Sequence, residues 1–261
     1  HINPAPAPYT GAGVIFMIGM LSWVPPERGT GGKRTPQLRE VLGMGFLEAQ
    51  VLRGARTPEA ILRRRAASAA KRLRRAGVTR LVLPEGFPYG AQLERAGVGP
   101  IATVPLRQLL AAELARAALA RLRPSGGGRL AVAGERLSGE LARAVTELAL
   151  GSRYVLLDVP YGGEALAAQL RREYGVSLLL TADRTQLAEA DLLVLFGPRP
   201  DLEEGGRAVL RLYDETAPLP ALLLPPALEG QLPQSCSRPQ LLAALVEGGA
   251  LRAGQITVGQ G

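Results

Sequence analysis

The residues best suited to chemistry lie in the segment "GERLSG", Gly134 to Gly139, which directly follows the apolar run "LAVA". A dinucleotide-binding turn has the pattern G-x-G-x-x-G at such a place, because its second glycine lets a pyrophosphate approach the bare backbone. Arg136 occupies that second position, so the standard pattern is broken. An anion site of another kind remains: Ser138 or Gly139 opens a helix with free N–H groups, and Arg136 adds a positive charge beside them.

Two further features follow the next apolar run, "YVLLDVP". Asp158 ends the strand predicted in that run, roughly 20 residues after the Gly134–Gly139 segment. An acid at this place binds the ribose in nucleotide-binding domains. Gly162 and Gly163 precede the next helix, so the backbone there can come close to a ligand. The candidate ligand-binding residues are therefore Gly134, Arg136, Ser138, Gly139, Asp158, Gly162 and Gly163. Structural roles explain the same residues: a turn glycine, a helix N-cap, a loop-capping acid and a tight turn before a helix.

The loop "PEGFPYG", Pro84 to Gly90, holds an acid and two aromatic residues in a chain that has few aromatics. Glu85 could act as a general base, and Tyr89 could donate a hydrogen bond or stack on a substrate ring. These two are the candidate catalytic residues. The alternative is a proline-stiffened loop whose aromatic side chains serve packing alone.

A basic helix is predicted for "TPEAILRRRAASAAKRLRRAG", with Thr57 as N-cap and Gly77 at the C-terminal end. Its apolar residues recur at helical spacing and predict one buried face. Its basic residues could neutralise phosphates of a nucleic acid: Arg63, Arg64, Arg65, Lys71, Arg72, Arg74 and Arg75. No aromatic residues interleave and no nucleic-acid-binding motif is evident, so a solvated outer helix is the favoured interpretation.

The elements that must position these residues are clearest in the second half. Apolar strands alternate there with amphipathic helices, which is typical of a parallel sheet covered on both faces. We predict an α/β protein with a doubly wound, mostly parallel Rossmann-like sheet in the C-terminal half and a less regular α/β N-terminal half. The linker "RPSGGG", Arg123 to Gly128, divides the chain into lobes 1–123 and 128–261, the second ending in a docking helix. The expected site is the cleft between the lobes.

The N-terminal lobe is predicted to begin with a buried strand from Val14 to Trp23, followed by a long loop through "VPPERGTGGKRTPQL". The segment "GTGGKRT" within it fails as a P-loop, because Arg34 follows Lys33 where a serine or threonine is needed. A second strand is expected at roughly Phe46 to Leu52. A single long helix is expected from Pro105 to Leu122.

Two resemblances follow from these residues. The segment from Arg129 to Gly197 is similar to a nucleotide-binding Rossmann-like domain, which implies that the anion site and Asp158 hold a nucleotide. The segment "AAKRLRRAGVTRLVLPEGFPYG" resembles the helix, strand and loop of aspartate/glutamate racemase-like proteins. That family's chemistry needs a cysteine in the loop, and the chain has none there.

Composition excludes several function classes. The chain of 261 residues has one histidine, His1, and one cysteine, Cys236, so it lacks the parts of a Ser-His-Asp triad, a Cys-His pair, a histidine-rich zinc site and an intrachain disulfide. Its apolar runs are too short to span a bilayer. We therefore expect a cytoplasmic protein without a metal. The net charge of +8 favours a small anionic partner.

Three functions remain open at this point. The first is binding of a nucleotide or phosphorylated metabolite, with an unidentified cofactor and Glu85 or Tyr89 transferring a proton. The second is a non-catalytic regulatory or scaffolding module that binds another protein or a second copy of itself. The third is nucleic-acid binding through the helix at 58–76, which we expect less, and no membrane partner is expected.

Overall fold

The computed structural model describes residues 18–26, 35–203 and 207–259. Its described residues fall into two compact units. The first unit comprises the described residues up to 40 together with 45–100, and the second comprises 41–44 and the described residues from 101 onward. Residues 101–122 thus group with the second unit, although they precede the Arg123–Gly128 segment that the sequence suggests as a linker; the domain boundary itself stays a prediction.

The first unit contains two helices and a five-stranded sheet, apart from the hairpin residues Val41–Met44, which group with the second unit. Its elements are β1 (Ile18–Val24), β2 (Gln37–Val41), β3 (Met44–Leu52), α1 (Glu59–Arg75), β4 (Arg80–Val82), α2 (Gly90–Arg95) and β5 (Gly99–Pro100). The sheet has the order β2-β3-β1-β4-β5, and β1 runs parallel to both β3 and β4. Parallel pairs therefore form the centre of the N-terminal sheet as well.

Strand β2 is absent from the sequence-based prediction, which assigned Gln37 and Leu38 to a loop. Leu42 and Gly43 connect β2 to β3, and both have positive φ, at 51° and 79°. Such a two-residue turn matches the twist of a β-hairpin, but it usually contains Asn-Gly or Asp-Gly. The prediction was wrong here because leucine gives no turn signal. Val14 to Met17 of the predicted first strand, and Gly29 to Arg34 of the rejected P-loop segment, lie outside the described residues.

Helix α1 forms as the apolar spacing predicts, with Leu62, Ala66, Ala69, Ala70 and Leu73 buried. Ala69, Ala70 and Leu73 pack with residues of the first sheet, including Leu21, Ala49 and Leu81. Leu62 and Ala66 pack with Tyr89. Gly77 follows the helix with a φ of 88°, as expected for its C-terminal end. Thr57 is not the N-cap, because Pro58 takes that position and the Thr57 hydroxyl accepts a hydrogen bond from the Gly54 N–H instead.

The second unit contains the doubly wound sheet. Its first elements are α3 (Val104–Leu109), α4 (Ala111–Leu122), β6 (Leu130–Ala133), α5 (Gly139–Gly151), β7 (Val155–Asp158), α6 (Gly163–Tyr174), β8 (Leu179–Leu180), α7 (Arg184–Ala188), β9 (Leu192–Leu195), α8 (Pro200–Glu203) and β10 (Ala208–Arg211). The predicted single helix from Pro105 to Leu122 is divided into α3 and α4 at Leu110. The chain closes with β11 (Leu222–Leu223), α9 (Pro226–Glu229), α10 (Arg238–Glu247) and β12 (Thr257–Val258).

The strand order of this sheet is β10-β9-β6-β7-β8, and all its pairs are parallel. The chain winds outward from β6 through β7 to β8, and then crosses to the other side for β9 and β10. Strands β6, β7 and β9 are buried along their whole length, so both faces are covered. The prediction of a doubly wound, parallel Rossmann-like sheet in the C-terminal half is confirmed.

Candidate functional site

The candidate site lies at the carboxyl edge of the second sheet, which we define as the loops that follow β6, β7 and β9. The strand order reverses between β6 and β9, and in open parallel sheets ligands bind outside the strand ends at that point. The three loops follow neighbouring strands, because β6 lies between β7 and β9. Most of the predicted ligand-binding residues are in the first two loops.

An ion pair links the ends of β7 and β9 across the end of β6. Arg199 Nη2 lies 2.9 Å from Asp158 Oδ2, and the Asp158 side chain is only 5% exposed. Arg199 also donates to Asp201, with Nε 3.0 Å from Oδ1. The pKa of Arg199 is raised, mainly by its hydrogen bond to Asp201, and the same bond lowers the pKa of Asp201. Asp158 is therefore engaged by a guanidinium rather than free for a ribose hydroxyl.

The loop after β6 pairs with the loop after β7 instead of turning at once into a helix. The Gly134 N–H donates to the Asp158 carbonyl at 3.1 Å, and the Leu137 N–H donates to the Tyr161 carbonyl at 2.9 Å. Arg136 and Tyr161 form a parallel β-bridge, to which the second of these bonds belongs. The backbone that would cradle a pyrophosphate thus extends the parallel ladder, which agrees with Arg136 replacing the second glycine.

Arg136 and Tyr161 are also paired through their side chains. The guanidinium carbon of Arg136 lies 5.8 Å from the centre of the Tyr161 ring, within cation–π range. Both residues are exposed, and Tyr161 is 62% exposed. A positive charge and a flat ring thus stand together on the surface of this edge.

The start of helix α5 already carries a carboxylate of the chain. Ser138 is the N-cap, and its hydroxyl accepts a hydrogen bond from the Leu141 N–H at 3.2 Å. The pKa of Glu140 is lowered, mainly because its carboxylate is hydrogen-bonded to its own backbone N–H and then to the Ser138 hydroxyl. Gly139 begins the helix beside open space. Glu140 is exposed, so it can move aside for an external anion.

The other glycines of the edge are explained by close packing. A Cβ at Gly134 would lie 2.8 Å from Leu141 Cδ1, so this glycine lets β6 and α5 approach. A Cβ at Gly162 would lie 2.8 Å from Leu137 Cβ, and its φ of 99° is one that other residues rarely adopt. Gly163 is buried as the first residue of α6. A ligand role for these three stays a prediction.

Glu85 and Tyr89 lie at the carboxyl end of β4 in the first unit. Tyr89 is buried, and its ring contacts Phe87 and Trp23 edge-on at 5.6 and 6.3 Å between centres. Tyr89 also packs with Leu62 of α1, whereas Glu85 is exposed. Packing accounts for Tyr89. The catalytic roles of both residues, and a site shared with the second unit, stay predictions.

Three residues of the site escaped the sequence analysis: Tyr161, Arg199 and Asp201. The sequence does contain a pattern that points to Arg199 and Asp201, because the segment "PRPD" directly follows the apolar run "DLLVLFG". The rule that ligands bind beyond the carboxyl ends of parallel strands selects that loop as well. The loop was passed over because it holds neither a glycine pair nor a helix N-cap signal.

Within the described residues, no group of three or more His, Cys, Asp or Glu residues is arranged to hold a metal ion. None of the helices in the described part of the chain is both long and apolar enough to cross a membrane.

Comparisons with known proteins give no family. No family model matches the chain, and no curated protein matches it. Among solved structures it is similar to the L-tryptophan dehydrogenase of Nostoc punctiforme (15% identity, TM-score 0.28, covering 59% of this chain and 44% of that one). It is also similar to the D-lactate dehydrogenase of Lactobacillus jensenii with NAD+ (15% identity, TM-score 0.24, covering 57% of this chain and 49% of that one). A third similar structure is the D-mandelate dehydrogenase of Rhodotorula graminis (15% identity, TM-score 0.29, covering 90% of this chain and 79% of that one).

The chain spans a little under half the length of the first two of these structures. At these TM-scores the likeness carries no argument about activity. The Rossmann-like fold class follows from the parallel strand order of the second sheet.

Proposed function

We propose that the carboxyl edge of the second sheet binds a small phosphorylated ligand of the nucleotide class. The observation that carries this proposal is the Asp158–Arg199 ion pair, which spans the end of β6 where the strand order reverses. The buried Asp158 carboxylate and the partly exposed Arg199 guanidinium hold each other there, so the ends of β7 and β9 are fixed around the expected ligand position, and the exposed Arg136 supplies the positive charge beside them.

The side chains around the ion pair suit the parts of such a ligand. Arg136 can donate paired hydrogen bonds to phosphate oxygens. Arg199 already donates from Nε and Nη2 to Asp201 and Asp158, so its role is to hold the edge in place. The exposed Tyr161 ring offers a flat surface on which a base can stack. The first N–H groups of α5 can donate hydrogen bonds to an anion when Glu140 moves aside.

The proposal departs from standard dinucleotide binding in one respect. Because the loop after β6 is used in the parallel ladder with Tyr161, its backbone is not free to wrap a pyrophosphate. A ligand with one phosphate group, or with a terminal phosphate, therefore fits the proposal better than a dinucleotide does. This is a refinement of the first of the three functions considered from the sequence.

The experiment is a thermal-shift screen against AMP, ATP, NAD(H), NADP(H), S-adenosylmethionine and common sugar phosphates. A ligand at a hundredfold excess over its Kd should stabilise the protein by about 2–3 kcal/mol, which is a shift of several degrees. Arg136→Ala should abolish the shift. Arg153→Ala is the matched control, because Arg153 lies 5.4 Å from the Tyr154 ring just before β7, at the opposite end of that strand.

Two outcomes would contradict the proposal. One is a panel in which no compound shifts the transition, which would favour the non-catalytic scaffolding module. The other is a ligand shift that Arg136→Ala and Arg153→Ala reduce equally, since then only the net charge would matter.

A further inference from the structure

The net positive charge of the protein arises in one part of the chain. Residues 1–100 contain 15 Lys and Arg against 6 Asp and Glu, a net charge of +9. Residues 101–261 contain 16 against 17, a net charge of −1. The acidic residues are thus not interspersed evenly, and the whole excess of +8 arises before residue 101.

Helix α1 concentrates this charge on its exposed face. Five exposed basic residues fall within about one third of the helix circumference, given 3.6 residues per turn: Arg63, Arg64, Lys71, Arg74 and Arg75. The face runs about 16 Å from Arg64 to Arg75 at 1.5 Å per residue. Its opposite side is the buried stripe from Leu62 to Leu73, so the orientation of α1 is fixed by packing. We call these five residues the basic face.

Little within the chain neutralises the basic face. Arg63 pairs with Glu59 at 2.9 Å, but both side chains are more than half exposed, so the pair is weak. Arg64, Lys71, Arg74 and Arg75 make no ion pair with any described residue. Four to five positive charges in a row on a rigid helix are therefore available to a partner.

The chemistry of the face favours a nucleic-acid duplex over other polyanions. Membrane-surface helices bury a large apolar face in the lipid, and here the apolar face of α1 is buried against the first sheet. Single strands are bound by stacking on aromatic side chains, and α1 has none. Regularly spaced phosphates need only a row of positive charges, which is what the face provides.

We propose that the basic face of α1 binds the phosphate backbone of a nucleic-acid duplex without sequence preference. The contacts are charge-assisted hydrogen bonds from arginine and lysine to phosphate oxygens, and each contact releases counterions. The proposal concerns the first unit and is independent of the ligand site proposed for the second.

The test is fluorescence anisotropy of two labelled 20-base-pair DNA duplexes of unrelated sequence, titrated with the full chain. With four to five phosphate contacts, the affinity should fall about 100- to 500-fold between about 50 and 200 mM salt, equally for both duplexes. The variant R64E/K71E/R75E should bind at least roughly tenfold more weakly at the lower salt, and its salt slope should be smaller by about 2.7.

The matched control is R121E/R171E/R172E, which changes the net charge by the same amount on exposed helix positions of the second unit. It should keep nearly the full salt slope. R64K/R75K should also keep binding, and the thermal transitions of all variants should agree, because the changed side chains are exposed.

Three results would overturn the proposal. They are no binding of either duplex at the lower salt, an equal loss in both triple variants, and binding to phosphatidylserine vesicles without binding to DNA. A negative result here leaves the ligand screen of the second unit unaffected, because that screen uses different probes and Arg136→Ala.

Discussion

The carboxyl edges of the two sheets differ in how their side chains are held. In the first sheet, Trp23 at the end of β1 stacks on Phe87 with 5.5 Å between ring centres, and Tyr89 packs edge-on against both. In the second sheet, the ends of β7 and β9 are joined by the Asp158–Arg199 ion pair, and Tyr161 is exposed beside it. Both sheets are parallel around a central strand. Topology therefore selects an edge, whereas the side chains decide whether that edge is packed or exposed.

The two tyrosines of these edges, Tyr89 and Tyr161, should differ most in what they contribute to the free energy of unfolding. Tyr89→Ala removes a buried ring from the aromatic cluster and should lower the free energy of unfolding by about 3–4 kcal/mol. Tyr161→Ala removes a mostly exposed ring and should cost less than about 0.5 kcal/mol. Urea denaturation of both variants measures this. Similar losses in the two would remove the distinction between a packed edge and an available one.

The next effect concerns the ion pair of the second sheet. Arg199→Ala leaves the buried Asp158 carboxylate without its guanidinium and should cost about 2–4 kcal/mol, somewhat less than a fully buried pair because Arg199 is partly exposed. Adding Asp158→Asn to the Arg199→Ala variant should restore part of the lost free energy of unfolding. A double-mutant cycle of the two substitutions would measure this coupling. The control Arg153→Ala should change stability little. A cycle with no coupling would show that the pair does not join the strands.

A smaller effect is the acid sensitivity of the second unit. Asp191 has a lowered pKa, mainly because it accepts a hydrogen bond from the Arg123 side chain and then one from the Arg129 N–H. A lowered folded-state pKa contributes stability that is present above the ordinary value of about 3.9 and is lost as the pH falls through the folded value. Asp191→Asn should therefore lower the urea midpoint at neutral pH and have a smaller effect near pH 3. An effect that grows at acid pH would contradict this sign.

The smallest effect is at a helix start. Ser138→Ala removes the side-chain cap of α5 and should cost about 1 kcal/mol. Ser237 is also an N-cap, at α10, but its side chain makes no capping hydrogen bond, so Ser237→Ala should cost clearly less. Equal losses would mean that the Ser138 hydroxyl does not stabilise the edge through its cap.

Much of the fold could be predicted from local patterns in the sequence. The alternation of apolar strands and helices in the second half predicted the parallel second sheet. The Ser138 cap and the Gly77 terminus were also predicted, because side-chain capping and positive φ depend on the residue itself. Strand β2 was missed because its pairing with β3 depends on a turn without the usual residues.

The site was predictable only in part, for a physical reason. Arg136, Ser138 and Asp158 were selected because each follows a strand, which local patterns reveal. Arg199 lies 41 residues from Asp158 in sequence, and their pairing depends on β9 lying beside β6. The extension of the ladder to Tyr161 likewise depends on register between two loops, which no local pattern shows.

The aromatic cluster of the first unit has a practical consequence for spectroscopy. Trp23 is the single tryptophan of the chain, and it stacks on Phe87 with the Arg53 guanidinium 5.2 Å from its ring. Tryptophan emission therefore reports the environment of the first unit's edge and contains no direct signal from the second unit's rings. A ligand that quenches or shifts this emission acts on the surroundings of Trp23. A ligand that raises the melting temperature but leaves the emission spectrum unchanged acts elsewhere in the molecule.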